Sequence, residues 1–255
     1  MCVKQIPDPA VPGELDPSTN TLKRDDKLIL DESDSYGVEM ALQLVEAAGG
    51  GDVSLVSMTP RGETSGLRTA LAMGASDAIL VSDEALAGSD ALGTAKVLAA
   101  AIGRLGPDLI LTGTESSDGY TGTVPEQVAA LLGLPSITFA KHIEIDGQTV
   151  KVQRQTEAGY DDVECPLPAL VSVTAGVVEP RYPSFKGIMA AKKKPVEELT
   201  VADLGIDAAA VGQAGARQET VAVTDAEARQ AGEVVTDEGD AFQRVVDYLA
   251  ELKVI

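Results

Sequence analysis

The residue types best suited to chemistry in this 255-residue chain lie in one stretch, Leu109-Ile110-Leu111-Thr112-Gly113-Thr114-Glu115-Ser116-Ser117-Asp118-Gly119-Tyr120-Thr121-Gly122-Thr123-Val124-Pro125. A β-type apolar run meets a loop of hydroxyls and glycines, and an apolar run of helical type, Val128 to Leu132, follows. Such a loop at the carboxyl end of a parallel strand, with a helix amino terminus aimed back at it, offers N–H groups and a favourable dipole to an anion. The expected ligand is phosphate, most simply that of a nucleotide. The loop is also long: roughly 11 residues from Gly113 to Thr123, where strand-to-helix loops usually have about 2–6. Length of this kind favours a binding role over a plain surface connection.

Other chemistry finds little support. The one histidine, His142, lies in a hairpin pattern with no nucleophile beside it, unlike the base of an acyl-transfer triad. No G-x-x-x-x-G-K-[ST] motif is present, and Gly113, Gly119 and Gly122 miss the dinucleotide spacing G-x-G-x-x-G. Cys2 and Cys165 are far apart and belong to no metal-type spacing. With 3% aromatic residues and no tryptophan, a stacking platform for bases or a flavin ring is scarce.

Composition sets the class. At 44% hydrophobic and 24% charged the chain can bury a full core, and its formal charge of -20 repels nucleic acid and anionic lipid. Cysteine usage and the lack of a spanning or signal-type segment predict a cytoplasmic protein with no membrane insertion. The opening Met1-Cys2-Val3-Lys4-Gln5-Ile6 is short for a buried first strand. The natural start is therefore expected a few residues upstream.

The elements that must position the loop follow from periodicity. Leu28 to Leu30 resumes apolar character, and Asp31-Glu32-Ser33-Asp34 supplies capping residues before Val38, Ala41, Leu42 and Val45 at helical spacing. Gly49 to Gly51 ends that helix; Val53 to Met58 reads as a strand, Leu67 to Met73 as a helix, Ala78 to Val81 as a strand, Ala95 to Ile102 as a helix, and Asp108 to Thr112 as the strand before the loop. Alternation of this kind means a parallel sheet flanked by helices, with ligands at the carboxyl ends of strands where their order reverses. Asp146-Gly147 between two strand patterns predicts an appended hairpin, and Ala169 to Val173 one more buried strand. The expected fold class is α/β with an appended β-hairpin and an extended C-terminal arm, divided into a nucleotide-binding domain over 1–178 and an arm over 179–255.

The arm carries its own signals. Glu179 to Pro195 places Tyr182, Phe185, Ile188 and Met189 beside Lys186 and Lys192-Lys193-Lys194, an apolar anchor ringed by positive charge in an acidic chain. That combination suits a transient docking site. The Ala/Gly/Gln-rich stretch 208–216 has little core-forming capacity. The final helix, with Phe242, Val245, Val246, Leu249 and Leu252 on one face, must dock on a partner or pack back on its own domain.

Taken together, Val3-Lys4-Gln5-Ile6-Pro7-Asp8, the run Leu67 to Ala75, the loop Gly113 to Val124, Leu167-Pro168-Ala169, and Glu179-Pro180-Arg181-Tyr182 through Met189-Ala190-Ala191-Lys192-Lys193-Lys194 resemble the β subunit of electron transfer flavoprotein. The likeness runs in the family's order over nearly the whole chain. It implies an adenine nucleotide α-hydrolase-like, Rossmann-like domain that binds AMP, in a heterodimer whose α subunit holds the redox FAD. Electrons would arrive from acyl-CoA and related flavoprotein dehydrogenases, as in fatty acid oxidation, and leave to a membrane quinone oxidoreductase. Such a subunit carries electrons and needs no catalytic residues of its own.

Carried over by position, the AMP site falls on Cys2, on Asp31-Glu32-Ser33-Asp34, on Met58, and on Gly113 through Val124, namely Gly113, Thr114, Glu115, Ser116, Ser117, Asp118, Gly119, Tyr120, Thr121, Gly122, Thr123 and Val124. Strand-end backbone would read the adenine edge, and Thr121 to Val124 would hold the phosphate. Phe185 matches the apolar anchor of the family's partner-recognition loop. Pro9 and Ser33 stand where some relatives place aromatic residues near the flavin. Electron-bifurcating members, which bind a second FAD in place of AMP, tend to read Asp-Gly-Asp-Thr-Ala-Gln-Val-Gly-Pro, and Tyr120 and Thr123 depart from that pattern. Behind this alternative stand an adenine-nucleotide sensor of the universal-stress type, working alone, and a purely structural scaffold.

Overall fold

The computed structural model describes residues 1–24, 27–224, 232 and 234–255. In chain order, the elements begin with β1 (Gln5–Pro7), β2 (Leu15–Asp16), β3 (Thr21–Leu22), β4 (Leu28–Leu30), α1 (Glu32–Ala47), β5 (Ser54–Thr59), α2 (Ser65–Met73) and β6 (Asp77–Ser82). Next come α3 (Ala91–Leu105), β7 (Leu109–Gly113), α4 (Val124–Leu132), β8 (Ser136–Asp146), β9 (Thr149–Thr156), β10 (Gly159–Pro166) and β11 (Ala169–Val173). The chain closes with α5 (Phe185–Ala191), β12 (Val196–Leu199), α6 (Gly212–Gly215) and α7 (Ala241–Glu251).

Two sheets, ordered β10-β9-β8-β11-β7 and β12-β6-β5, are joined edge to edge by residues 1–3. Val3 N donates to Val56 O at 2.9 Å, Val56 N to Met1 O at 2.9 Å, and Cys2 N to Leu111 O at 2.9 Å. A segment too short to be assigned as a strand thus occupies the centre of the sheet, with β5 on one side and β7 on the other. From that centre the chain steps outward through β5 and β6, then returns to build β7 and β11 on the opposite side. The reversal creates a switch point at the carboxyl end of residues 1–3, beside the end of β7.

Burial explains the layers. One face of the sheet offers Val3, Leu55 and Leu80 to Val38 and Leu42 of α1 and to Leu67, Ala70 and Leu71 of α2. The other offers Val56, Ile79, Val81, Ile110 and Leu170 to α3 and to Val128 and Ala129 of α4. These strands are apolar on both faces, as buried parallel strands must be. Helix starts are fixed locally: Asp31 accepts from Ser33 N at 3.1 Å, and Asp90 from Gly93 N at 2.7 Å. Gly106 and Gly133 close α3 and α4 in the left-handed conformation.

Three sequence expectations change. The appended hairpin is a three-stranded antiparallel ribbon, because a second turn after Thr156 returns β10 along β9 in full register. The compact unit runs from Met1 to Val221, past the boundary at 178 read from the sequence, since β12 pairs parallel with β6 and extends the sheet. The stretch 208–216 does contribute to the core: Val211 is fully buried, and Gly212, at φ 61°, lies against the Ala85 carbonyl where a Cβ would collide. Residues 222–255 form a second unit, in which α7 has Phe242, Val245, Val246 and Tyr248 exposed. Of the arm read from the sequence, 225–231 and 233 lie outside the described residues.

The placement of Val211 gives a direct test. Val211→Ala should destabilise the protein by roughly 1–2 kcal/mol through lost burial and a small cavity, lowering the denaturant midpoint at unchanged slope. A loss below about 0.5 kcal/mol, as for an ordinary surface change, would return this stretch to the surface.

Candidate functional site

The loop after β7 lies at the switch point and is fastened there from three sides. Ser116 to Tyr120 curls into a turn closed by Tyr120 N donating to Ser116 O at 2.9 Å. Asp31, the fully buried cap of α1, uses one oxygen for its own helix and the other for the loop, accepting from Ser117 N at 2.8 Å and Ser117 Oγ at 3.0 Å. Asp118 meets two cations: Lys4 Nζ at 2.7 Å and the Arg24 guanidinium. Lys4 also donates to Ser116 Oγ at 3.0 Å, so a residue just past the central segment grips both arms of the turn.

This is an acid-rich corner. Burial works to raise the Asp118 carboxyl, but Lys4 and Arg24 override it and hold Asp118 below the usual aspartate range. Among the described residues, Asp34 forms no ion pair with a side-chain cation. It accepts from Lys4 N at 2.6 Å, yet burial, aided by the neighbouring Asp31 and Asp118, pushes it up to about 8. Asp34 is therefore largely protonated at neutral pH.

Backbone conformation shapes the loop's inner surface. Gly122 has φ 65°, a left-handed conformation that selects glycine, and a Cβ there would sit 3.2 Å from Glu115 Oε2. At Gly113 a Cβ would sit 3.1 Å from Asp34 Oδ1. Tyr120 also adopts a left-handed φ of 47°, with its ring exposed. α4 begins where the loop ends, and Thr123 makes no side-chain capping bond to it. Thr112 Oγ1 at the end of β7, with Glu126 Oε2 and Gln127 Oε1 in the first turn of α4, is buried without a hydrogen-bond partner among the described residues. Unpaired buried oxygens are costly, and three bracketing one loop mark a place where polar partners belong.

The lysine-rich segment is a second structured surface. α5 is capped by Ser184, whose Oγ accepts from Gly187 N at 3.0 Å, and it carries exposed Phe185, Ile188 and Met189, with Tyr182 just before it. Phe185 is 80% exposed and Tyr182 93%, extreme values for aromatic rings. Lys186, Lys192 and Lys193 are exposed as expected. Lys194 differs: its Nζ donates to Leu71 O at 2.9 Å and Ala75 O at 2.5 Å, capping the carboxyl end of α2. Burial lowers its pKa.

A family model described as "Electron transfer flavoprotein domain" matches residues 19–204. The chain belongs to the electron transfer flavoprotein β-subunit family. It is 41% identical over 259 residues to the electron transfer flavoprotein subunit beta of Mycobacterium tuberculosis, covering 99% of this chain and 97% of that one. It is 37% identical to the corresponding subunits of Megasphaera elsdenii, over 98% of this chain and 96% of that one, and of Thermoanaerobacterium thermosaccharolyticum, over 99% and 98%.

Of the residues carried over by resemblance, the structure gathers Asp31, Ser33 and Asp34 against Gly113 to Val124 and leaves Glu32 exposed. Cys2 lies in the middle of the central segment and Met58 near the end of β5, both against the α3 and α4 side of the core. Burial pushes the Cys2 thiol up to about 11. His142 is on the exposed ribbon, 3.0 Å from Glu144. Among the described residues no cluster of three or more metal-ligating acids, cysteines or histidines occurs, and no helix is long and apolar enough to cross a membrane. Lys4, Arg24 and Thr112 were missed as site residues. Lys4 and Arg24 reach the loop from about a hundred positions away in sequence, and no local pattern announces such contacts.

Asp34 sets the pH dependence. Free aspartate titrates near about 3.9, so up to about pH 8 the folded chain holds a proton that the unfolded chain has released. The resulting stabilisation is fully present below about pH 4, declines as pH rises and is gone once pH passes about 8. Asp34→Asn, which keeps an acceptor for Lys4 N, should gain on the wild type steadily from pH 5 to 8 and level off above. Parallel denaturation curves across that range would rule out a protonated Asp34.

Proposed function

We propose that this chain is the β subunit of a heterodimer that carries electrons on a FAD held mainly by the α subunit, and that it binds AMP as a structural ligand. The observation that carries the AMP reading is the loop 113–123 locked into the switch point by Asp31 with Ser117 and by Lys4 and Arg24 with Asp118. Its unpaired oxygens, Thr112 Oγ1 foremost, fit a ligand with polar edges. Thr121, Gly122, Thr123 and Val124 would hold the phosphate through N–H groups and hydroxyls, beside the start of α4. Cys2, Met58 and the strand ends would face the adenosine.

Charge supports a nucleotide of low charge. Asp31, Glu115 and Asp118 already crowd the loop, and Lys4 and Arg24 are engaged with Asp118, leaving little to balance a triphosphate. Tyr120 and Thr123 stand against the bifurcating pattern, and hence against a second FAD. FAD in the α subunit supplies the one- and two-electron chemistry; this chain contributes binding, shape and electrostatics.

The exposed Tyr182, Phe185, Ile188 and Met189, flanked by Lys186, Lys192 and Lys193, would dock acyl-CoA and related flavoprotein dehydrogenases. An apolar anchor gives grip and the lysines steer an acidic rim. The electrons would pass on to a quinone oxidoreductase. No nucleic-acid partner is proposed for a chain of charge -20.

Two experiments test this reading. Co-expression with an α subunit should yield a stable 1:1 complex with a flavin spectrum; an isolated chain that needs no partner and binds ATP tightly would favour the stress-type alternative. Within the complex, Phe185→Ala should raise the KM for reduction by a dehydrogenase about tenfold, equivalent to about 1.4 kcal/mol, with flavin and nucleotide content unchanged. Loss of cofactor instead would make the patch structural.

A further inference from the structure

We propose that Arg181 with Glu39, and Arg68 with Lys194, are positioning residues that hold the docking segment in one conformation before a partner arrives. The inference rests on reading Phe185 and its neighbours as the docking anchor, and adds to it residues that lie outside the exposed patch. Arg181 precedes the patch and directs every donor group it can at α1. Its backbone N and Nε donate to Glu39 Oε2 at 3.2 and 2.7 Å, Nη2 to Glu39 Oε1 at 3.0 Å, and Nη1 to Glu46 Oε1 at 2.9 Å. The Glu39 side chain is only 4% exposed and also accepts from Gln43 Nε2 at 2.8 Å. Burial would raise its pKa, yet the Arg181 bonds bring it below the usual glutamate range. A carboxylate so buried cannot release its guanidinium without being stranded, and the forked contact fixes direction as well as distance.

The far end of the segment is pinned by a different pair. Arg68 Nη1 donates to Ala191 O at 2.7 Å and to Lys194 O at 2.8 Å, while Lys194 Nζ returns to Leu71 O and Ala75 O. Between the pins, α5 approaches α2 so closely that a Cβ on Gly187 would meet the Ala72 carbonyl at 2.5 Å. At seven residues α5 is too short to be stable by itself. The Ser184 cap and the packing of Gly187 and Ala191 on α2 hold the helix itself, the two pins fix the chain entering and leaving it, and all four exposed apolar side chains lie between them.

An anchor that is ordered in advance binds without first having to be fixed, whereas one ordered part of the time loses apparent affinity in proportion. Breaking a pin should therefore weaken docking and leave electron transfer within the docked pair untouched. The test uses the assembled holocomplex with Glu39→Gln, Arg68→Met, the charge-conserving Arg181→Lys, and Phe185→Ala as control. Reduction by an acyl-CoA dehydrogenase is measured against complex concentration, and hydrogen exchange is followed at the amides of 185–191.

Glu39→Gln and Arg68→Met should each raise KM about fivefold, as for a docking-competent fraction of about one fifth. The limiting rate, flavin and nucleotide should stay as in the wild type, and the α5 amides should exchange faster. Arg181→Lys should fall between, having kept charge and lost the fork. Phe185→Ala should raise KM without altering exchange. If Phe185→Ala has no effect on KM, the docking reading itself fails. If it raises KM while the pin variants change neither KM nor exchange, or lower the limiting rate instead, the positioning role is overturned. Should Glu39→Gln fail to assemble, Arg68→Met decides by the same criteria.

Discussion

The hydrogen bonds that residues 1–3 make to β5 and β7 are the constraint on which the rest of the structure depends. Cys2 and Val3 link two half-sheets that, among the described residues, have no other strand between them. By entering at the centre, the chain leaves strands to be added on each side in turn, and the change of side sets a switch point at one defined place. Lys4 follows immediately, and its backbone and ammonium reach Asp34, Ser116 and Asp118. Sheet closure and loop fastening are thus consecutive consequences of the same few residues.

The corner at the switch point is rich in carboxylates, which is unusual for a proposed phosphate site and tells what each acid is doing. Asp31 ties α1 to the loop, Asp118 collects Lys4 and Arg24, and Asp34 is buried largely uncharged. These three aspartates are thus hydrogen-bonded, ion-paired or uncharged, while Glu115 and Glu126 remain as the acids nearest the start of α4. The same economy governs the docking segment, where Arg181, Arg68 and Lys194 hold backbone and helix ends while Lys186, Lys192 and Lys193 remain exposed. Charge that looks uniform in sequence divides into structural and presented groups only when neighbours are known.

Much of the parallel core was legible because its signals are local. The cap at Asp31, the glycine stop at Gly49 to Gly51, and the apolar runs of β5, β6, β7 and β11 each depend on a few adjacent residues. The loop after β7 was legible for the same reason, through its length and composition. What escaped depends on distant partners. β12 is too short and acidic to announce a strand until β6 offers its edge, and Val211 sits in an Ala/Gly context that hides its burial. Lys194 was indistinguishable from Lys192 and Lys193 until the α2 carbonyls came into reach. The short opening segment was underrated because two neighbouring strands, rather than its own length, hold it in the sheet.

The central proposal is that the loop after β7 binds one adenosine monophosphate as a structural ligand while the redox flavin belongs to the partner subunit. The most direct measurement is to denature the purified complex and identify and count the released nucleotides by mass. One AMP and one FAD per heterodimer are expected. Two FAD with no AMP, or no nucleotide beyond the single FAD, would contradict it.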